Sequence, residues 1–292
     1  MNTKQIDLTG AGYKDTEAIA VGGVCYSIGV GVRRWDHPRG LNAYLTNTAR
    51  VEKVDRHTGK VKVRIIKGRR YAKRQAGLAG IRQLVIHHSG GDREDPSIMY
   101  QVLHNQRKLS VQFALEDGGG LAHGAPMLWQ FLDAIECAWH AGGAFNQASV
   151  GVECALYPEF ERCPDYYSPR GCLKRKNLPH PVVEEVVHGV RREVFGMPDP
   201  QLMALAKLWA GVWTALRLRQ PDTDLPPLPK FPRVDGAIPR TKVEDAIQHT
   251  GMIGHLQITR RKVDPAGFPW ETFEDQVEQE CRQMAAVAGL DI

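Results

Sequence analysis

The chain has 292 residues, 42% of them hydrophobic and 24% charged, with a formal net charge of +5 at pH 7. That is the composition of a soluble, globular chain long enough for one large domain or a domain with an appended module. The cysteines at 25, 137, 154, 163, 172 and 281 include no CxxC pair and no dense spacing, so neither a zinc ribbon nor a disulfide scaffold is indicated.

From the N-terminus, the apolar run Ala18 to Val32 is glycine-rich, too short to span a bilayer and preceded by little positive charge. It makes a poor signal peptide. Ala49 to Ile66 alternates apolar and polar residues about Asp55 to Gly59, which predicts a β-hairpin inside a small β module over residues 1–79. The segment Lys60 to Arg74 also holds Lys62, Arg64, Lys67, Arg69, Arg70 and Lys73. This local excess suits an anionic polymer of the cell envelope or a nucleic acid; it suits equally a solvated strand pair whose basic edges discourage aggregation.

Gly80 to His87 reads as a buried strand delivering His87 at its end, and Asp95-Pro96 supply the N-cap and first-turn proline of a helix to about Arg107. Val111 to Glu116 and Ala148 to Leu156 read as two more strands, the second with Glu153 near its end. Tyr157 to Met197 reads as an insertion, with a helix over Pro181 to Phe195, that walls one side of a groove. Asp199-Pro200 open a long amphipathic helix, Gln201 to Arg219, whose apolar side (Leu202, Leu205, Leu208, Trp209, Val212, Leu216) should cover one face of the sheet. Pro221 to Pro239 reads as an extended surface connection. Cys163 and Cys172 lie in a loop-like stretch and would pair only in an oxidising compartment.

The chemistry concentrates in Gly254 to Pro265, which packs His255, Lys262 and Asp264 into a short segment ending in a turn signal. A histidine and an aspartate can share one metal ion, and a lysine between them can face that ion's substrate. Two distant segments join it: Leu84-Val85-Ile86-His87-His88-Ser89, and Trp139-His140-Ala141-Gly142 running on through Asn146 to Ser149-Val150-Gly151-Val152-Glu153. Together, over roughly residues 80 to 285, they resemble the zinc-dependent N-acetylmuramoyl-L-alanine amidases, the superfamily of phage lysozyme-type amidases, muropeptide-recycling amidases and peptidoglycan recognition proteins. The resemblance implies an α/β fold, a mixed central sheet with helices on both faces and the metal at the strand ends. The amidase domain would run over 80–292, with insertions near 157–197 and 221–245.

The resemblance also implies roles. His87, His255 and Asp264 would hold Zn2+, with an oxygen ligand leaving manganese less excluded than a thiolate would. His87 is preferred to His88 because it directly follows the apolar strand and adjacent strand residues point to opposite faces. Glu153 would be the general base or acid and Lys262 would steady the oxyanion. His140 would contact substrate or support a ligand, and Asn146 would bind the peptide or fix its loop. Where some phage-type relatives carry a catalytic tyrosine, this chain has Val111, Gln112 and Phe113, so the acid-base work would fall on Glu153.

The function implied is hydrolysis of the bond between N-acetylmuramic acid and L-alanine, as a phage or phage-derived lysin. Such a protein would be made in the cytoplasm and act on the wall after release or as part of a particle. The alternative is a non-catalytic peptidoglycan-binding module, or a structural component of a phage particle or secretion machine that keeps the fold.

Overall fold

Two apolar runs broken by Gly22-Gly23 pair antiparallel as β1 (Thr16–Val21) and β2 (Val24–Arg34). Both glycines take positive φ, +64° and +76°, as a two-residue hairpin turn with this twist requires. Their N–H groups each donate to the Asp133 carboxylate at 2.7 Å. The structure, a computed structural model, describes residues 16–44, 49–54, 61–66, 71–74, 77–90, 96–118, 126–168, 180–221 and 223–291.

β3 (Ala49–Val54) and β4 (Val61–Ile66) form the expected hairpin, whose tip lies outside the described residues. β5 (Tyr71–Ala72) pairs with a later strand, β9 (Cys137–Ala138). β6 (Gln83–His88) is buried along its whole length. α1 (Pro96–Tyr100) runs into a π-helical stretch over Gln101–Arg107, so the helix predicted there is present but irregular in its second half; Asp95 lies outside the described residues. Then come β7 (Phe113–Leu115), β8 (Leu128–Gln130), the short helix α2 (Phe145–Ala148) and β10 (Ser149–Cys154).

The predicted helix over Pro181 to Phe195 is instead a β-hairpin, β11 (Val182–Val187) and β12 (Val190–Phe195). Its valines satisfy helical spacing too, but β-branching favours strands. His188 and Gly189, at φ +52° and +81°, make the two-residue turn between strands. α3 (Asp199–Arg219), β13 (Gly251–Gly254), the short helix α4 (His255–Ile258) and α5 (Trp270–Ala288) complete the chain.

Seven strands make one sheet in the order β1-β2-β8-β7-β10-β6-β13. β7, β10, β6 and β13 are mutually parallel, whereas β8 is antiparallel to β7 and β1 to β2, so the sheet is mixed. The N-terminal strands belong to this sheet, because β2 pairs with β8 from Val32↔Leu128 to Arg34↔Gln130.

Strand alternation sends Leu84, Ile86, Phe113, Leu115, Val150 and Val152 into one core, against Leu205, Trp209 and Trp213 of α3. α3 is buried nearly all round, since α5 covers its outer side with Phe273, Val277 and Cys281. Met99, Tyr100 and Leu103 of the α1 region cover the opposite face over Val111, Ala114 and Phe131. Helices therefore flank both faces. Within Pro221 to Pro239 the connection is anchored: Phe231 is buried among Phe268, Trp270 and Phe273, and the Trp213 indole N–H donates to Pro226 O at 3.1 Å. Among the described residues no helix is long and apolar enough to cross a membrane.

Candidate metal centre

His87 follows Val85 in the strand alternation, so it faces away from α3; His88 follows Leu84 and Ile86 and stays outside the converging group. β13 lies beside β6 in parallel, and its end passes directly into α4, which puts His255 next to His87. Gly254 lets the chain pass there: a Cβ would lie 2.5 Å from the Trp270 ring and 2.9 Å from Pro265. The loop after α4 returns Asp264 to the same point, pinned by Leu256 N–H donating to Asp264 O at 2.7 Å.

His87 Nδ1 lies 2.9 Å from His255 Nδ1 and 3.1 Å from Asp264 Oδ2, and His255 Nδ1 lies 3.0 Å from that same oxygen. All three side chains are buried. Zinc bonds of roughly 2.0–2.1 Å in tetrahedral geometry place ligand atoms about 3.3 Å apart, within a few tenths of an ångström of this triangle. Burial, then the neighbouring His255, hold His87 down to about 4. Burial pushes Asp264 up, but the nitrogens of His255 and His87 beside it outweigh that and hold the carboxyl well below its usual range. An ionised oxygen and nitrogen lone pairs converging in a buried spot are a donor set that suits zinc.

Glu153 stands opposite His87 in the parallel β10–β6 register, and so shares its face of the sheet. Burial, and after it the Asp264 carboxylate, raise Glu153 to about 8 against the pull of Lys262 and Arg107. Lys262 and Asp264 line a cleft of about 440 Å³ whose other wall carries Arg162, Arg192 and Glu193. The cleft thus joins a region of alternating charge to the buried triangle.

His140 lies behind His87, its Nδ1 2.9 Å from His87 Nε2. Asn146 Oδ1 accepts from the successive N–H groups of His140, Ala141 and Gly142 at 3.1, 2.9 and 3.0 Å, which fixes the loop carrying His140. Gln112 is a buried cross-link: its Oε1 accepts from Gly151 N–H and its Nε2 donates to Glu136 O, both at 2.8 Å. His104 is buried and stacks on Tyr100.

Some of the supporting residues escape a reading of the sequence. Glu185 of β11 accepts from Gly267 N–H at 2.6 Å and the Trp270 indole at 3.0 Å, and pairs with Arg240 at 3.1 Å. His188 in the hairpin turn meets Lys262 O at 2.8 Å. The insertion therefore holds the segment bearing Lys262 and Asp264, besides walling the cleft. Arg74, last of the basic run, is buried rather than solvated, and its guanidinium donates to the carbonyls of Ile135, Glu136, Asn146, Gln147 and Ser149. Burial lowers it to about 10, so it stays charged at neutral pH. A cation embedded among carbonyls has no local sequence signal. Cys25, Cys137, Cys154, Cys163 and Cys281 are free thiols; Cys172 lies outside the described residues.

Residues 77–267 match the family model described as N-acetylmuramoyl-L-alanine amidase. No curated protein matches the chain in sequence. Among solved structures it is similar to the N-acetylmuramyl-L-alanine amidase AmiD from E. coli, solved with the substrate anhydro-N-acetylmuramic acid-L-Ala-D-gamma-Glu-L-Lys, at 21% identity and TM-score 0.40; the match covers 73% of this chain and 63% of that one. It is similar also to AmpDh3 from Pseudomonas aeruginosa, at 15% identity and TM-score 0.40 over 82% of this chain and 75% of that one. The Staphylococcus aureus hydrolase AmiA, solved with its ligand, matches at 13% identity and TM-score 0.42 over 76% of this chain and 82% of that one.

Proposed function

This chain belongs to the N-acetylmuramoyl-L-alanine amidase family, and from that premise we propose that it hydrolyses the amide joining N-acetylmuramic acid to the L-alanine of the peptidoglycan stem peptide, with zinc held by His87, His255 and Asp264. The observation that carries the reading is the convergence of His87 Nδ1, His255 Nδ1 and Asp264 Oδ2 in a buried triangle, with Glu153 beside it and a cleft opening onto it.

Zinc bound there would supply Lewis acidity to the scissile carbonyl and to the attacking water. The rest falls to the chain's own groups. Glu153, deprotonated, accepts a proton from the water and returns it to the leaving amine of L-alanine; its environment raises its basicity toward working pH. Lys262, two residues before Asp264 and at the edge of the cleft, places its ammonium against the negative charge that develops on the carbonyl oxygen. Burial keeps His87 a neutral lone-pair donor rather than an imidazolium. The charged walls of the cleft suit a stem peptide that carries carboxylates and an amine.

Purified peptidoglycan is the substrate for the test, digested with the protein untreated, chelated, and chelated then given zinc. Free stem peptides beginning with L-alanine, lost on chelation and restored by zinc, are expected in the mass spectrum. Wall binding with no released peptide would reassign the protein to the recognition class. Glu153→Gln should keep its zinc and lose at least about 100-fold in turnover; near-normal rates in that variant would remove Glu153 from its role.

A further inference from the structure

Behind His87 the hydrogen bonds run in one direction. Phe145 O, a carbonyl oxygen, only accepts. Ser149 Oγ stands 2.6 Å from it, so the Ser149 hydroxyl donates there. Its proton is thereby committed, and Oγ meets His140 Nε2 at 3.3 Å as an acceptor. The proton of the His140 ring must then be on Nε2. A neutral imidazole carries one N–H, so His140 Nδ1 presents a lone pair to His87 Nε2 at 2.9 Å. His87 donates from Nε2, which leaves its Nδ1 as a lone pair; the N–H that the Asp264 carboxylate accepts in the metal-free triangle then comes from His255 Nδ1, 3.0 Å from Oδ2 and 2.9 Å from His87 Nδ1.

We propose that Ser149 and His140 are positioning residues that set the tautomer of His87, so that Nδ1 is held ready as a metal ligand. The proposal rests on the amidase reading only in supposing a metal ion at this triangle. The surroundings are built for it. Gln112 Oε1 accepts from Gly151 N–H and the Arg74 guanidinium donates to Ser149 O at 2.9 Å, so the strand bearing Ser149 is held on both sides. A Cβ on Gly151 would lie 2.6 Å from His140 Nδ1 and Cε1, so only glycine there lets the ring lie flat against β10. Ser149 itself is fully buried. Partners of this kind orient ligating histidines, and their loss weakens metal binding even though they never touch the metal.

The test begins with the metal-free, full-length protein labelled with nitrogen-15. Long-range proton–nitrogen spectra should show the ring proton of both His87 and His140 on Nε2; a proton on Nδ1 of His87 would overturn the proposal. Zinc affinity, measured by chelator competition, should fall about tenfold in Ser149→Ala and return in Ser149→Thr, which restores the hydroxyl. Wild-type affinity in Ser149→Ala would also overturn it. If the wild-type protein takes up no zinc, the amidase reading falls, while the tautomer measurement on that same metal-free protein still decides the proposal.

Discussion

Glu153→Gln should raise the stability of the metal-free protein while ending catalysis, and by an amount that depends on pH. In the fold Glu153 is raised to about 8 from an ordinary value of 4.5, first by burial and then by the Asp264 carboxylate. Between those values the folded state binds a proton that the unfolded state has released, so stability falls as pH rises through this window. The stabilising contribution of the protonated form is complete below about 4.5 and gone above about 8. At 1.36 kcal/mol per pH unit the full displacement is roughly 5 kcal/mol. Glu153 is partly accessible to solvent and faces Lys262, so about half of that, on the order of 2–3 kcal/mol, is the expected effect. Glutamine keeps the shape, never ionises and removes this term. For a chain of this size the gain corresponds to a rise of roughly 5–10 °C in Tm at pH 8, with little change at pH 5. The assay is thermal unfolding of chelated wild-type and variant protein across that range. His87 and Asp264 are common to both proteins, so the difference isolates Glu153. Equal melting curves at pH 8, or a less stable variant there, would refute the argument that the fold strains this carboxylate.

Other outcomes follow from the same geometry. Asp264→Ala should reduce zinc from stoichiometric to undetectable after dialysis, measured by atomic absorption, because it removes the one anionic ligand of the triangle; full zinc retention would exclude Asp264 as a ligand. Arg74→Met deprives a row of buried carbonyls of their donor, at roughly 1–3 kcal/mol for each left unmade. The expected loss in urea unfolding is more than about 3 kcal/mol, and a loss below about 1 kcal/mol would mean that water replaces the guanidinium. Glu185→Ala frees the Gly267–Trp270 turn next to Asp264 and should weaken zinc binding about tenfold with the fold intact by circular dichroism. Unchanged affinity would reduce the β11–β12 hairpin to a wall of the cleft.

The groups gathered in this candidate site are legible in the residue order alone. His87 stands at the end of an apolar run, His255 and Asp264 flank Lys262, and Glu153 closes a second apolar strand; each is a local pattern of residue types, and local patterns are what a sequence states directly. The hairpin over Ala49 to Ile66, the strands β6 and β10 and the long helix α3 follow from periodicity in the same way. What periodicity left undecided, longer-range contacts decided. The valines from Val182 to Val194 fit either a helix or a strand pair, and the balance tips only where His188 and Gly189 turn the chain and Glu185 finds Gly267, Trp270 and Arg240. β1 and β2 join the central sheet because β2 meets β8, nearly a hundred residues away, an arrangement with no trace in either segment's own pattern. Arg74 reads as one of a solvated basic run until distant loops enclose it with carbonyls. The sequence by itself determined which groups are available and where the strands that carry them begin. Only the tertiary structure decided which ligand atoms meet and which charges lose their water, because those depend on atoms that lie far apart along the chain.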